Sequence, residues 1–201
     1  MRITGGTHRS RALVAPRGEA TRPTSDRVRE ALFSILAART TLDGARVLDL
    51  YAGTGALALE ALSRGASRAT LIEKGRDALG AIRTNVTALE MESAVEILPG
   101  AVDKVAPGLA KGAFDLVFVD PPYADVTDGT ALLSVARVVE AGVLAPGALV
   151  VLEHAPARGE AAKARGGEAD EQGPEVAGLV RDVTRRYGDT CLSFYEAPRE
   201  S

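Results

Sequence analysis

The residues best suited to chemistry in this sequence are Asp120, Pro121, Pro122 and Tyr123, which follow the apolar run at 114–119. Each proline fixes its own φ angle, pushes the preceding residue toward an extended conformation and lacks an N–H group. The turn therefore presents acceptors in fixed directions: one carboxylate and one or two carbonyl oxygens. Such acceptors can hold both N–H bonds of an exocyclic amine and favour the positive charge that develops on its nitrogen.

Tyr123 adds an aromatic face beside these acceptors. A nucleobase stacked on it would gain about 1–3 kcal/mol, and a base in structured nucleic acid must leave its stack to enter such a pocket. The sequence therefore predicts that residues 120–123 form a catalytic turn for group transfer to a base amine, without a metal. A proline-rich turn with a surface tyrosine is the alternative that performs no chemistry.

A second candidate site begins at Asp49, which ends an apolar run and precedes the turn Gly53-Thr54-Gly55. The glycines allow torsions closed to other residues and let a ligand approach the main chain, and the helix that follows presents unpaired N–H groups. Glu73 lies about 20 residues further on, where an acid can bind ribose hydroxyls. This pattern predicts a nucleoside-binding turn.

Two cofactors fit that turn. Residues 53–58 match the degenerate dinucleotide fingerprint G-x-G-x-x-A, which is compatible with NAD. Asp49 argues against NAD, because a carboxylate at this position would repel a pyrophosphate. It suits a ligand with a cationic amino group and no phosphate, such as S-adenosylmethionine. A tight strand–helix turn that binds nothing is the third interpretation.

The elements that position these residues alternate between strands and helices. Such alternation predicts a doubly wound parallel sheet that binds its ligand beyond the carboxyl ends of the strands. Two further strands around Gly188-Asp189 indicate a hairpin, so the last strands should be antiparallel. The predicted strands are 45–50, 69–72, 94–98, 113–119, 148–152, 179–187 and 190–195, and the predicted helices are 26–38, 56–64, 76–90, 102–110 and 130–140.

The first 40 residues form a basic extension in this interpretation. They contain eight arginines against three acidic residues, a net charge of +5, whereas the remainder has 16 basic and 24 acidic residues, a net charge of −8. A basic arm on an acidic body suits nucleic-acid phosphates. We expect a small hairpin in residues 1–21, a helix capped by Thr24 or Ser25, a main domain at 41–201, and a flexible low-complexity loop at 155–175.

Composition excludes several other classes. Apolar residues make up 46% of the chain and charged residues 25%, as in ordinary globular proteins. No apolar run approaches the length of a membrane span, and the N-terminus lacks the apolar segment of a signal peptide, so the expected location is cytoplasmic. The single cysteine, Cys191, excludes an internal disulfide, and two histidines, His8 and His154, are too few for a metal site.

These motifs together resemble class I methyltransferases with an Asp-Pro-Pro-Tyr motif, and most closely the bacterial RsmD-like family, which methylates the N2 amine of a guanine in small-subunit ribosomal RNA. The segments "MRITGGTHRSRAL" at the start, "RPTSDRVREALFSIL" at 22–36 and "YGDTCLSFYE" near the end carry the rest of the resemblance. It implies a Rossmann-like sheet of seven strands, S-adenosylmethionine as methyl donor, and 16S rRNA, within a 30S particle or assembly intermediate, as substrate of a monomer.

The resemblance also implies roles for individual residues. Arg22, Pro23 and Thr24 would close over the site, and Ala101 stands where many class I enzymes carry an Asp or Asn that binds the adenine, so that contact would come from the main chain or a neighbour. The RNA-binding residues would be Arg9, Arg11, Arg22, Arg27 and Arg29. The cofactor-binding residues would be Arg22, Thr24, Asp49, Tyr51, Ala52, Gly53, Thr54, Gly55, Glu73, Lys74, Ala101 and Asp120.

Other functions remain open at this point. An amino-methyltransferase acting on DNA adenine N6 or on a protein amide would share both motifs but usually needs a separate recognition region. An NAD-linked oxidoreductase would give residues 120–123 no catalytic role. A non-catalytic RNA-binding relative would keep the basic arm and have no turnover.

Overall fold

The computed structural model describes residues 1–16, 25–122, 125, 129–156 and 173–199. The chain falls into two compact units, Met1–Val105 and Ala106–Ser201. The predicted boundary between an extension at 1–40 and a main domain at 41–201 stays a prediction. The expected loop at 155–175 lies largely outside the described residues.

The first unit contains three parallel strands. Its elements are α1 (Asp26–Arg39), β1 (Arg46–Asp49), α2 (Ala56–Ser63), β2 (Arg68–Glu73), α3 (Arg76–Ala88), β3 (Val95–Pro99) and α4 (Val102–Val105). β2 pairs with β1 on one side and with β3 on the other, and the register places Asp49 opposite Leu71 and Glu73 opposite Pro99. The carboxyl ends of all three strands therefore meet at one edge of the sheet.

Helix α2 is buried along its whole length. Its sequence, Ala-Leu-Ala-Leu-Glu-Ala-Leu-Ser, is apolar all round except for Glu60 and the final serine, which is the pattern of a helix enclosed by protein rather than one at the surface. Its N-cap is Gly55, in a left-handed conformation at φ +77°. The helix therefore begins directly at the glycine turn.

The second unit contains the other four strands. Its elements are a 3-10 turn (Ala106–Gly108), β4 (Phe114–Val119), α5 (Thr130–Glu140), β5 (Leu144–His154), β6 (Val180–Tyr187) and β7 (Thr190–Glu196). β4 pairs in parallel with β5, and β7 lies antiparallel between β5 and β6. Cys191, in β7, is buried.

The predicted class, an α/β fold with seven strands of which the last are antiparallel, is confirmed. Two boundaries differ from the prediction by more than two residues. β5 begins at Leu144 rather than 148, because Leu144 already pairs with Phe114. A bulge that contains Gly147, at φ +72°, separates this pair from the regular pairing that starts at Leu149. The helix predicted at 102–110 is a single turn followed by a 3-10 turn, because Pro107 has no N–H to continue it.

The N-terminal arm, defined here as residues 1–14, folds back on itself as a hairpin would. A single antiparallel bridge joins Arg2 and Ala12, and the Ile3 N–H donates to the Arg11 carbonyl at 2.9 Å. Helix α1 follows, and its N-cap is Ser25, whose hydroxyl accepts from the Val28 N–H at 3.3 Å. Of the two predicted caps, Thr24 lies outside the described residues.

The helices in the described part of the chain are all too short or too polar to cross a membrane. Within the same ranges, no three side chains of His, Cys, Asp or Glu cluster as metal ligands would.

Candidate active site

The carboxyl end of β1 forms the first part of the site. Asp49 is the last residue of the strand, and its side chain is buried, with 1% exposed. Gly53 and Gly55 then take left-handed conformations, with φ of +56° and +77°, which other residues adopt only with strain. A side chain at Gly55 would also crowd Leu71, whose Cδ2 would lie 3.1 Å from the new Cβ.

Glu73 joins the three loops at this edge of the first unit. Its Oε2 accepts from the Gly53 N–H at 2.8 Å, its Oε1 accepts from the Gly75 N–H at 2.7 Å, and its main-chain carbonyl accepts from the Gly100 N–H at 2.9 Å. These glycines follow β1, β2 and β3 respectively. Each carboxylate oxygen has two lone pairs, so both can accept a further hydrogen bond, for example from a ribose hydroxyl.

The remaining predicted cofactor residues lie along the same edge. Tyr51 is half-buried, Ala52 is buried, Lys74 is exposed, and Ala101 is half-buried after β3. The Ala101 carbonyl accepts from the Lys104 N–H at 3.0 Å and so begins α4.

The chemistry of this edge fits a particular kind of ligand. Asp49 and Glu73 are carboxylates on adjacent strands, and the glycine turn leaves space beside Gly53, where an added Cβ would come no closer than 3.9 Å to the Tyr51 carbonyl oxygen. Two acids and a close-approach turn suit a nucleoside with a cationic amino group and disfavour a pyrophosphate. The residues present therefore fit S-adenosylmethionine better than NAD.

The second unit holds the predicted catalytic turn. Asp120 is half-buried and follows β4, Pro121 is buried and Pro122 is exposed. The Pro122 carbonyl accepts from the Asp125 N–H at 2.9 Å, which fixes its direction. Tyr123 lies outside the described residues, as do Arg22, Pro23 and Thr24.

The predicted RNA-binding arginines separate into two groups. Arg9, Arg11 and Arg27 are exposed, and Arg11 also donates to the Ala88 carbonyl at the end of α3. Arg29 is fully buried and ion-paired with Glu60 at 3.4 Å and Asp26 at 2.9 Å. A guanidinium enclosed in this way cannot reach a phosphate, so the expectation for Arg29 is corrected: it holds α1 in place.

A polar cleft of about 350 Å³ lies between the N-terminal arm and α1, lined by Arg2, Arg9 and Arg27 and by two acids, Asp26 and Glu30. Arg2 pairs with Asp26 at 3.2 Å. Burial tends to raise the pKa of Asp26, but hydrogen bonding and charge from Arg29 outweigh it and hold that pKa below its ordinary value. Asp26 is therefore a carboxylate at neutral pH, and it orders this end of the arm.

Glu60 is a buried residue that the sequence patterns did not indicate. With no side-chain exposure, it accepts from the Thr4 N–H at 2.7 Å, the Thr4 hydroxyl at 2.8 Å, Arg29 Nε at 3.4 Å and Arg64 Nε at 2.9 Å. It thereby fastens the N-terminal arm to α1 and α2. The available signal was the lone acid in an otherwise apolar helix.

The fold and the chemistry of this edge define the class: the chain has the fold of the class I methyltransferases. It matches a solved structure from Escherichia coli named "Putative methyltransferase yhhF" with a TM-score of 0.80 and 31% identity, over 100% of this chain and 99% of that one. The chain belongs to the family described as "Conserved hypothetical protein 95", whose model matches residues 1–196. This is the RsmD-like family that the motifs indicate.

Two curated relatives agree with this membership. "Putative rRNA methyltransferase YlbH" of Bacillus subtilis (strain 168) is 30% identical over 98% of this chain and 98% of its own length. "Ribosomal RNA small subunit methyltransferase D" of Escherichia coli (strain K12) is 44% identical over 61% of this chain and 60% of its own length.

Proposed function

We propose that this protein transfers a methyl group from S-adenosylmethionine to the exocyclic N2 amine of a guanine in 16S rRNA. The observation that carries the proposal is the contact between Glu73 and the Gly53 N–H, beside the buried Asp49 on the neighbouring strand. The names of the two relatives, which refer to rRNA methylation, support the substrate class.

The donor side uses the residues at the carboxyl edge of β1 and β2. S-adenosylmethionine supplies an electrophilic methyl group on a sulfonium. Asp49 would pair with its amino group, since a carboxylate with so little exposure favours a cationic partner. Glu73 would accept from the ribose hydroxyls while keeping the turn in place. Arg22 and Thr24 are added on the resemblance alone.

The acceptor side uses the turn after β4. The Asp120 carboxylate and the Pro121 main-chain carbonyl would hold the two N–H bonds of the amine, Pro122 would keep that carbonyl in a fixed direction, and Tyr123 would stack on the base. An aromatic amine is a poor nucleophile because its lone pair is delocalised into the ring. Acceptors in fixed directions favour the charge that develops on nitrogen, and this is the work assigned to Asp120.

The RNA would be held by the exposed arginines of the basic extension, Arg9, Arg11 and Arg27, together with Arg2. Arg22 is included on the resemblance, and Arg29 is left out because it is buried. A 30S particle or assembly intermediate as substrate, a cytoplasmic location and a monomeric state belong to the proposal. They follow from the rRNA substrate and the RsmD-like resemblance.

Two experiments test the proposal. Calorimetry with S-adenosylhomocysteine and with NAD should show binding of the first and none of the second. Binding of NAD and not of S-adenosylhomocysteine would instead support an NAD-linked oxidoreductase. A methylation assay should then compare 30S particles, naked 16S rRNA and DNA, followed by mass analysis of the modified nucleoside. N2-methylguanine from either rRNA substrate supports the proposal, whereas modification of DNA alone, as N6-methyladenine, would refute it.

A further inference from the structure

Asn85 is a buried polar residue in α3, with 1% of its surface exposed. Its Oδ1 accepts from the Val14 N–H at 2.7 Å, and its Nδ2 donates to the Val14 carbonyl at 3.0 Å and to the Thr54 carbonyl at 2.9 Å. One side-chain amide thus joins the end of the N-terminal arm to the middle residue of the glycine turn.

The contact with Thr54 completes the restraint of that turn. The peptide between Thr54 and Gly55 is held at both ends: its carbonyl accepts from Asn85, and its N–H donates to the Ala52 carbonyl at 2.6 Å. Glu73 holds the preceding Gly53 N–H. Asn85 therefore acts on the turn from α3 much as Glu73 does from β2, with a donor in place of an acceptor.

Only a primary amide of this length makes all three bonds. Aspartate keeps the acceptor for the Val14 N–H but has no donor for two carbonyls, and glutamine is one methylene longer in a site that has almost no exposure. A residue needed merely to fill space on a buried helix face would be apolar, like its neighbours Ile82 and Val86.

We propose that Asn85 is a positioning residue of the methyl-donor site. It orients the peptide between Thr54 and Gly55 and holds the end of the N-terminal arm in a fixed position against that peptide. The inference rests on the proposed donor site. Because a single amide serves both partners, a disturbance of the arm at Val14 is transmitted to the turn. The donor is expected to bind well only when the arm is seated.

The test uses the full-length chain with Asn85→Asp, Asn85→Ala and the control Val86→Ala. The control removes buried volume from the next residue of α3 and no polar group. Asn85→Asp sets a buried carboxylate against two carbonyl oxygens, so S-adenosylhomocysteine binding should weaken by about tenfold or more in that variant. The loss should be smaller in Asn85→Ala, which leaves the carbonyls unpaired without repelling them, and absent in the control. Unchanged affinity in both Asn85 variants would overturn the inference.

A second measurement needs no ligand. Amide hydrogen exchange should speed up in both the arm, residues 1–14, and the turn, residues 50–57, in the Asn85 variants but not in Val86→Ala. Exchange that rises equally in the control, or in neither segment, would contradict the inference even if Asn85→Asp binds poorly. If the wild-type chain itself fails to bind S-adenosylhomocysteine, the proposed function fails, and the exchange result still decides the role of Asn85.

Discussion

The Gly53 N–H donates to Glu73 Oε2 at 2.8 Å, across 20 residues of sequence. The same carboxylate holds the Gly75 N–H through its other oxygen. The Glu73 carboxylate, which we propose accepts from the ribose hydroxyls of the donor, therefore also holds the loops after β1 and β2 in place.

Replacing Glu73 should weaken donor binding in two ways. Glu73→Gln places an NH₂ group against the N–H of either Gly53 or Gly75, both of which donate to the wild-type carboxylate. It also removes the negative charge that favours donation from a ribose hydroxyl. We expect the dissociation constant for S-adenosylhomocysteine to rise by about tenfold or more, measured by calorimetry. Glu92→Gln, at an exposed position after α3, is the matched control, and equal effects of the two changes would rule out the role of Glu73.

Replacing Asp120 should lower turnover and leave donor binding unchanged. Asp120→Ala and Asp120→Asn remove the charge that would stabilise the developing positive nitrogen, so single-turnover methylation should fall by at least about 100-fold. Affinity for S-adenosylhomocysteine should stay close to that of the wild type. Asp43→Asn, at an exposed position, should leave both quantities unchanged. Full activity of Asp120→Asn would refute the proposed acceptor.

The arginines of the arm and of α1 should set the salt dependence of RNA binding. Removing one arginine–phosphate interaction should reduce the slope of log affinity against log salt by about one, so Arg9→Ala and Arg27→Ala should each flatten it measurably. Filter binding over a range of salt concentrations gives the slope. Arg83→Ala, on the exposed face of α3, should leave it unchanged. If Arg83→Ala flattens the slope as much as Arg9→Ala does, the basic extension does not hold the RNA.

The buried pair of Glu60 and Arg29 should make a large contribution to stability. Breaking a buried ion pair from one side typically costs about 3–5 kcal/mol, because the other charge is left uncompensated. Glu60→Leu alone should therefore lower the free energy of unfolding substantially, and the double change with Arg29→Met should be less destabilised than the sum of the two single changes. Urea denaturation measures all three, and strict additivity would show that the pair is not coupled.

The sequence was sufficient to predict the carboxylates at strand ends. Asp49 and Glu73 each close an apolar run, and parallel strands bring such ends to one edge whatever the details of packing. Asp120 follows β4 in the same way. The alternation of strands and helices likewise predicted the parallel strands, and the Gly188-Asp189 turn predicted the antiparallel hairpin at the end. These features depend on local patterns that span only a few residues.

The buried polar residues could not be predicted in the same way. Arg29 looked like a surface arginine because its partner, Glu60, is 31 residues away. Asn85 meets Val14 across 71 residues of sequence. Such burial depends on which distant groups meet, and a helical spacing of apolar residues carries no information about it.

The burial of Cys191 in β7 has a practical consequence. It is the one thiol in the chain, and a maleimide reagent reaches it poorly while the protein is folded. A cysteine introduced in place of exposed Arg9 or Arg27 would therefore take up a photocrosslinker selectively. Ultraviolet light could then mark the nucleotides that lie against each position, and so chart the footprint of the basic extension on its RNA.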